Sequence, residues 1–344
     1  MAIQESPRTR SDSLSLRAFR TRGRPAVISG IGGYAPERIL YNDDLADLGC
    51  RVDDEWIVKR TGIRSRHVAD PGTAAFELAI PAAQRALEDA EVLPSELDMI
   101  ICATTSPDGP FPAMACRVQD KIGAPGVMAF DVLAACSGFL YALAIAESQI
   151  ASGRADTVLV VGAEVMTRFL DWKHHFVSIL PGDGAGAAVV RAADGPGILS
   201  WCLGADGRGW DQITYGNVEK GAYAVGEFGS LEMKGTEVFK FAVDILPRLA
   251  TAAADAAGIE VDDIDLWVPH QANSRIIEAA AERAGVPLSR MMMNLDRYAN
   301  TSAASIPLAL RDAVDQGRVT GGDKVLLAAF GAGLTWASCL VEWT

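Results

Sequence analysis

The chain has 344 residues, of which 49% are hydrophobic and 22% are charged, and this balance excludes a globally disordered protein. Its length suits two domains of ordinary size or one large α/β unit. With 31 Lys and Arg against 44 Asp and Glu, the formal net charge is -13, which disfavours general nucleic-acid binding. An acidic partner would therefore require a local basic patch.

The cysteines and histidines indicate the compartment and argue against a metal. The 6 cysteines are scattered and only 4 histidines occur, so their spacing fits no zinc template. Scattered cysteines without a secretory signal are typical of a reducing compartment, which predicts a cytoplasmic protein. The apolar stretch 127–146 contains Asp131 and small residues, so it predicts a buried strand and helix rather than a membrane span.

The N-terminal segment, residues 1–24, differs from the rest of the chain. It is rich in Arg and Ser, with Glu5 and Asp12 as the opposing charges. This composition predicts a disordered tail over residues 1–24, and an organelle transit peptide remains the alternative. Ordered structure is expected to begin near Arg24, with a strand that follows Pro25.

An internal repeat predicts the architecture. The segment around Asp98 resembles the segment around Asp265, and the segment around Asp156 resembles that around Asp323, with the members of both pairs 167 apart in the numbering. The predicted elements of the first half, 25–200, are 82–90, 99–104, 130–149 and 157–161; those of the second half, 201–344, are 243–257, 266–269, 301–314 and 325–329. Apolar strands that alternate with helices predict two packed α/β sheets. An active site is expected where equivalent helix N-termini meet.

Cys136 is the first candidate for chemistry. A strand ends near Asp131, small residues turn, and an apolar helix begins at or just after Cys136. A thiol at a helix N-terminus feels aligned N–H dipoles, which favour the thiolate. A buried structural cysteine is the alternative interpretation of this segment.

Two further segments carry polar side chains toward the same interface. His270 follows a buried strand and precedes a helix, where α/β sites are built, although a structural histidine fits the pattern too. Asn300 can cap the helix that follows it or donate its amide into a pocket. Because its loop is the counterpart of the Cys136 turn, we expect Asn300 to face Cys136, giving a nucleophile with two polar stabilisers.

Six segments together resemble the beta-ketoacyl-ACP synthase III family of condensing enzymes, in the thiolase superfamily. They are DEWIVKRTGIR (54–64), DVLAACSGF (131–139), GDGAGAA (182–188), VPHQANSR (268–275), NTSAASIP (300–307) and FGAGLT (330–335). The resemblance covers roughly residues 25–344, in the family order and nearly its spacing. It implies the α/β thiolase fold of five αβαβα layers, usually a homodimer.

The resemblance also implies the reaction and the role of each central residue. The family condenses a short acyl-CoA primer with malonyl-ACP, releasing CoA and CO2 and using no bound cofactor. Cys136 would carry the acyl group, and His270 and Asn300 would stabilise the enolate formed by decarboxylation. The backbone N–H groups of Cys136 and Ala332 would form the oxyanion hole.

Further positions carry over from the family to the substrate-binding surface. Trp56, Arg60, Asn273 and His175 match CoA contacts, and Phe111 matches the family residue that reaches the partner subunit's acyl pocket. The ACP-docking positions are Gln271, Ala272, Asn273, Ser274, Arg275 and Lys240. The last two would supply the basic patch that acidic ACP requires.

Departures from the family pattern leave a second function open. His175 stands where the fatty-acid enzymes usually have Arg, Thr236 replaces a frequent Asn, and Glu282 occupies an often basic position. The alternative is a starter-unit condensing enzyme or acyltransferase of polyketide or secondary metabolism. A degradative thiolase would need a second catalytic Cys before the Gly-rich turn, whereas Cys339 follows it. An intact Cys136, His270 and Asn300 argue against a non-catalytic subunit.

Overall fold

The structure is a computed structural model that describes residues 14–216 and 230–344. Residues 1–13 of the predicted tail lie outside the described residues, as does the segment 217–229.

The first half is built on a five-stranded mixed sheet. Its strands are β2 (Ala26–Tyr34), β5 (Met99–Ala103), β6 (Met128–Val132), β7 (Thr157–Val165) and β8 (Asp183–Ala192), in the order β2-β8-β7-β5-β6. Strand β5 pairs in parallel with both β6 and β7, while β8 runs antiparallel to its neighbours. Strands β5 and β7 are buried at every position, as their continuous apolar sequences predict.

The second sheet repeats the β2-β8-β7-β5 part of this plan and has a different fifth strand at its edge. Its strands are β1 (Ala18–Arg20), β9 (Ile198–Ala205), β12 (Leu266–Pro269), β13 (Lys324–Gly331) and β14 (Thr335–Glu342), in the order β1-β9-β14-β13-β12. Strands β12 and β13 are parallel, and β14 is antiparallel to both β13 and β9.

Helices complete five layers. The long helices are α2 (Ala75–Asp89), α3 (Met114–Ile122), α4 (Gly138–Ala151), α6 (Gly235–Ala257), α7 (Ser274–Ala284) and α9 (Ser305–Asp315). Helices α4 and α9 lie between the sheets, α2 and α3 cover the outer face of the first sheet, and α6 and α7 cover that of the second. Three apolar cores fill the spaces between these layers. The predicted αβαβα arrangement is confirmed.

Short elements surround the layers. They are α1 (Asp54–Thr61), α5 (His175–Ser178), α8 (Leu295–Tyr298), the hairpin of β3 (Ile39–Tyr41) and β4 (Ser65–His67), and the hairpin of β10 (Ile213–Tyr215) and β11 (Leu231–Met233). In the described part of the chain, no helix is both long and apolar enough to cross a membrane.

Equivalent hydrogen bonds in the two sheets match the internal repeat. The Asp98 backbone N–H donates to the Thr157 carbonyl oxygen over 2.9 Å, and the Asp265 N–H donates to the Lys324 carbonyl oxygen over 2.9 Å. Each carboxylate also accepts the N–H of that same strand residue, at 3.0 Å for Asp98 and 2.8 Å for Asp265. Since 157 and 324 are again 167 apart, the repeat describes real structural equivalence.

Residues 14–24 correct the prediction of a disordered tail. Residues Ala18–Arg20 form β1, which pairs antiparallel with β9, and Thr21 donates to the Ile198 carbonyl oxygen at 2.7 Å. Leu14 and Leu16 pack against the core under α6. The strand escaped the sequence analysis because all three of its residues are exposed at the sheet edge, so no apolar alternation marks it.

The predicted boundary between the halves also shifts. Strand β9 begins at Ile198, before the predicted division after residue 200, and β1 joins the second sheet although it lies near the N-terminus. Arg24 then ties the N-terminal segment to the first half, with its guanidinium 2.6 Å from the Asp156 carboxylate. The N-terminal segment therefore links the two halves.

Candidate active site

A cavity of about 820 Å³ opens between the halves, at the carboxyl ends of the central strands. Cys136, His270 and Asn300 all line it, together with Phe330 and Gly331 at the end of β13. The structure thus brings together the three side chains that the sequence analysis expected to converge.

Cys136 lies on the turn between β6 and α4. The turn comprises residues Ala135–Ser137, and Ala135 adopts a left-handed φ of 48°. A Cβ added to Gly331 would lie 2.8 Å from the Cys136 backbone N, so the absence of a side chain there lets the two backbones approach.

The thiol departs from the low pKa that its helix position predicts. Burial raises the pKa of Cys136 to about 12, and a hydrogen bond from Ser302 opposes this in part. Desolvation by the surrounding protein therefore opposes the helix dipole at this thiol. The sequence showed the helix N-terminus but not the depth at which it is buried.

His270 follows β12 and is held at both its backbone and its ring. Its N–H donates to the Ala328 carbonyl oxygen at 2.8 Å, and its Nδ1 lies 2.6 Å from Ser305 Oγ at the start of α9. The residue is 1% exposed, and burial lowers its pKa to about 3, so the imidazole is neutral. With Nδ1 engaged by Ser305, Nε2 is the ring nitrogen left for a ligand.

Asn300 is fixed by three hydrogen bonds. Its backbone N–H donates to the Leu180 carbonyl oxygen at 2.9 Å, and its carbonyl oxygen accepts from the Gly182 N–H at 3.0 Å. Its side-chain Oδ1 accepts the Ser302 N–H at 2.9 Å. Oδ1 therefore caps the next turn, as one interpretation of Asn300 predicted, and the Nδ2 amide stays the candidate donor at the cavity.

The mouth of the cavity contains aromatic and basic groups from α1 and the segment around α5. Trp56, Arg60, His174 and Phe176 line it. The Arg60 guanidinium carbon lies 3.9 Å from the centre of the Trp56 ring, so one indole face is already covered. His175 contacts Trp56 edge-on, with ring centres 5.7 Å apart. Its neighbours His174 and Phe176, rather than His175 itself, line the cavity.

The predicted carrier-docking segment is only partly available at the surface. Ala272, Asn273, Arg275 and Lys240 line the cavity. Gln271 is a correction: it is 1% exposed, and its amide donates to the Pro269 and Met292 carbonyl oxygens.

The remaining predicted positions lie around the cavity rather than in it. Ser274 begins α7 beside Gly62, which packs α7 against α1. Phe111 lies outside the cavity and is 84% exposed. Ala332 directly follows the Gly331 that meets the Cys136 turn, and its carbonyl oxygen accepts from Thr335 Oγ1 at 3.2 Å.

Several polar groups of the site were not found from the sequence. Ser305 orients His270, Ser302 orients Asn300, and Glu164 lies fully buried behind the Cys136 turn. Ser302 could have been found from the sequence, because it is the repeat counterpart of Ala135. In the structure the two residues share a φ of 48°. No signal in the sequence pointed to Glu164, because a single carboxylate near the end of an apolar strand does not indicate which residues it contacts.

Within residues 14–216 and 230–344, no cluster of His, Cys, Asp or Glu could hold a metal ion.

Comparisons with known proteins agree with this geometry. Residues 130–207 match the family model described as 3-oxoacyl-[acyl-carrier-protein] synthase III, and residues 254–343 match the model of its C-terminal part. A beta-ketoacyl-[acyl-carrier-protein] synthase III of Xylella fastidiosa is 48% identical over 322 residues, covering 92% of this chain and 98% of the relative. One from Rhodospirillum centenum is 49% identical over 323 residues, covering 92% and 99%.

Solved structures place the fold in the same group. The 3-oxoacyl-[acyl-carrier-protein] synthase III of Aquifex aeolicus superposes with a TM-score of 0.87 at 42% identity, covering 92% of this chain and 100% of that one. The priming beta-ketosynthase of the R1128 polyketide pathway superposes with a TM-score of 0.88 at 37% identity, covering 94% and 98%. The cavity with its Cys, His and Asn, the five-layered fold and these identities lead to one conclusion: the chain belongs to the beta-ketoacyl-[acyl-carrier-protein] synthase III family of condensing acyltransferases.

Proposed function

We propose that this chain condenses a short acyl group, delivered as acyl-CoA and carried on Cys136, with malonyl-ACP to give 3-oxoacyl-ACP. One observation carries the proposal. Cys136 shares a cavity with two donors whose other polar atoms are already engaged, His270 Nδ1 by Ser305 and Asn300 Oδ1 by Ser302. Preset donors cost no reorganisation when charge develops, which is what a decarboxylating site requires.

In the first half-reaction the Cys136 sulfur attacks the thioester carbonyl of acyl-CoA. The developing oxyanion would lie against the backbone N–H of Cys136, which the missing side chain at Gly331 leaves accessible. The Ala332 N–H is the second donor in this proposal. Collapse of the tetrahedral intermediate releases CoA and leaves an acyl thioester on Cys136.

In the second half-reaction malonyl-ACP enters the same cavity. His270 Nε2–H and the Asn300 amide donate to the oxygen of its thioester, so that negative charge gathers there as CO2 leaves. The neutral imidazole suits this task, because burial lowers the pKa of His270 to about 3 and it donates without carrying charge. The enolate carbon then attacks the acyl-Cys136 carbonyl.

Mass spectrometry of the intact protein tests the proposal. Wild type and Cys136→Ala are incubated with a panel of acyl-CoAs, and malonyl-ACP is then added. We expect a short acyl adduct on the wild type, none on Cys136→Ala, and conversion of the adduct to 3-oxoacyl-ACP. An adduct on Cys136 that persists with malonyl-ACP would contradict condensation and favour a specialised acyltransferase.

A starter-unit enzyme of polyketide synthesis is the second candidate. Its supporting observations are the similarity to the R1128 priming ketosynthase and the aromatic mouth, where His174 and Phe176 flank the His175 that departs from the family Arg. The acyl-CoA panel separates the two functions, since acetyl or short branched primers favour fatty-acid initiation. A preference for another primer would favour the polyketide role.

We propose that the carrier protein docks at the basic mouth of the cavity. Arg60, Lys240 and Arg275 all line it, in a protein whose formal net charge is -13. Lys240 makes an exposed ion pair with Glu237 at 3.4 Å, which is readily exchanged for a partner carboxylate. Local positive charge in an acidic protein suits an acidic carrier.

We propose further that two chains form a homodimer through β6. Among the described residues this strand ends its sheet, so one of its edges is unpaired. Exposed apolar side chains surround it, with Met128, Leu133 and Phe111 exposed by 57%, 78% and 84%. Sedimentation of wild type and Met128→Lys tests this: we expect a dimer and a weakened dimer, whereas a monomeric wild type would contradict it.

A cytoplasmic location remains a proposal as well. All six cysteines are free thiols in the structure, which supports a reducing compartment.

A further inference from the structure

A fully buried arginine lies behind the wall of the cavity. Arg66 belongs to β4 and is 0% exposed. Its Nη1 donates to the Asn42 side-chain oxygen at 2.9 Å and to the Leu40 carbonyl oxygen at 3.4 Å. Its Nη2 donates to the Ile179 carbonyl oxygen at 2.9 Å. The guanidinium therefore joins the segment that follows β3 to the segment that follows α5.

Charge does not account for this arginine. The three oxygen atoms that it contacts are neutral, and none of the ion pairs found within residues 14–216 and 230–344 includes Arg66. Burial lowers the pKa of Arg66 to about 10, so the group is still a cation at neutral pH. A buried cation without a paired carboxylate is costly, because neutral oxygens replace only part of its hydration. What arginine offers here is its planar fork, which fixes donors in diverging directions.

The hydrogen bond from Nη2 supports Asn300. Arg66 holds the Ile179 carbonyl oxygen. The next residue, Leu180, accepts the Asn300 N–H at 2.9 Å with its carbonyl oxygen, and the Gly182 N–H donates to the Asn300 carbonyl oxygen at 3.0 Å. Gly182 also packs on the arginine, since a Cβ there would lie 3.2 Å from Arg66 Cβ. Both backbone polar groups of Asn300 are thus held by a short segment that Arg66 supports.

The hydrogen bond from Nη1 supports α1 through Asn42. Asn42 is 1% exposed, and its Nδ2 donates to the Asp54 carboxylate at 2.8 Å and to the Ile63 carbonyl oxygen at 2.7 Å. Asp54 begins α1, and Ile63 follows the glycine that ends it. The helix supplies Trp56 and Arg60 to the cavity mouth. The Asn42 amide therefore holds both ends of the helix whose side chains line the mouth.

We propose that Arg66 is a positioning residue for both half-reactions. Through Ile179 it fixes Asn300 for the decarboxylation of malonyl-ACP, and through Asn42 it fixes α1 for the binding of acyl-CoA. The inference rests on the proposed function, because it takes from that function the amide donor at Asn300 and acyl-CoA as the substrate that enters past α1. Arg66 itself is buried and acts through these other residues.

The two contacts predict a split between the half-reactions. Within residues 14–216 and 230–344, neither Arg66 nor Asn42 is hydrogen-bonded to the Cys136 turn. Loss of the arginine should therefore leave the acylation rate at saturating acetyl-CoA unchanged. Displacement of Asn300 by ~1 Å should lower decarboxylation ~10²-fold. A general loosening of the structure would instead lower both steps together.

Arg66→Met is the first test, because methionine fills part of the same space but has neither the charge nor the donors. Mass spectrometry follows acyl-enzyme formation from acetyl-CoA, and CO2 release is measured after malonyl-ACP is added to the preformed acyl-enzyme. We expect a raised KM for acetyl-CoA, an unchanged acylation rate at saturation, and CO2 release lowered ~10²-fold. Wild-type CO2 release in folded Arg66→Met would overturn the proposal, as would equal losses in both steps.

Asn42→Asp separates the two contacts. The new carboxylate still accepts from Arg66, but it cannot donate to Ile63 and it repels Asp54. We expect a raised KM for acetyl-CoA, with CO2 release at the wild-type rate. An unchanged KM, or CO2 release lowered together with acylation, would refute this division of roles even if Arg66→Met failed to fold.

Arg24→Met is the matched control. Arg24 also donates to two main-chain carbonyl oxygens, those of Ile150 and Ala155, but it lies at the far end of α4 and outside the cavity lining. Both half-reactions should keep their wild-type rates in this variant, and a split like that of Arg66→Met would remove the special role of Arg66. A wild type that forms no acyl-enzyme would overturn the proposed function, whereas an active wild type with no split in Arg66→Met would overturn the positioning role alone.

Discussion

The contact between Gly331 and the Cys136 turn predicts a large effect of one added methyl group. A Cβ at position 331 would lie 2.8 Å from the Cys136 backbone N, 3.1 Å from Thr335 Oγ1 and 3.2 Å from Ala135 Cβ. Gly331 does not have a positive φ, so Gly331→Ala tests space rather than backbone freedom. The substitution pushes directly on the proposed oxyanion donor.

The size of the effect follows from these distances. Ordinary contacts begin at 3.4 Å, so the Cys136 backbone must retreat by about 0.6 Å from the added Cβ. Displacing reacting groups on this scale costs ~10²-fold in rate, and losing one oxyanion donor costs ~10²–10³-fold. Overpacking of a dense interior adds ~1–3 kcal/mol of destabilisation, which a domain of this size tolerates.

The assay is the rate of acyl-Cys136 formation from acetyl-CoA, followed by mass spectrometry in quenched samples. Gly321→Ala is the control, because a Cβ there would meet nothing within 4 Å and Gly321 also lacks a positive φ. We expect Gly331→Ala to be slow and Gly321→Ala to match wild type. A Gly331→Ala protein that is folded and acylates at the wild-type rate would refute the role assigned to the Cys136 N–H.

Three further predictions follow from the site. His270→Ala and Asn300→Ala should each spare acylation but lower malonyl-ACP decarboxylation ~10²–10³-fold, measured as CO2 release; a complete loss of acylation in His270→Ala would contradict its role. Between pH 6.5 and about 3, His270 is unprotonated in the folded chain and protonated in the unfolded chain, so the free energy of unfolding decreases as pH falls. By pH 5 this decrease is about 2 kcal/mol, and it should be absent when His270→Ala is unfolded with denaturant at the same pH values. Arg275→Glu should raise KM for malonyl-ACP, most at low salt, without slowing acylation, and Arg154→Glu beyond the far end of α4 is its control.

The sequence predicted those parts of the molecule that local patterns determine. Buried strands such as β7 are continuous apolar runs, and the internal repeat correctly predicted two equivalent sheets. Cys136, His270 and Asn300 were recognisable because each stands between a strand and a helix, within a segment that resembles the family. Their convergence followed from the duplication.

The features that were missed depend on distant neighbours. The pKa of Cys136 is raised by burial against the second half of the chain. The local sequence around residue 136 does not show this burial. Gln271 was assigned to the carrier surface, but its amide turns inward to a carbonyl oxygen far from its own turn, at Met292. Strand β1 depends on the open edge of β9, far along the chain.

The duplication also explains why only one of the two equivalent turns carries the nucleophile. Each half places the end of a central strand against the turn that begins the other half's inner helix, so Gly331 meets the Cys136 N and Glu164 meets the Ala303 N–H. Positions 164 and 331 are equivalent in the repeat, and so are 136 and 303, because the members of both pairs are 167 apart in the numbering. Where the strand ends in glycine, the turn's N–H stays open to a substrate oxygen. Where the penultimate residue of the strand is Glu164, its carboxylate accepts that N–H, and the second turn supports Asn300 rather than a second nucleophile.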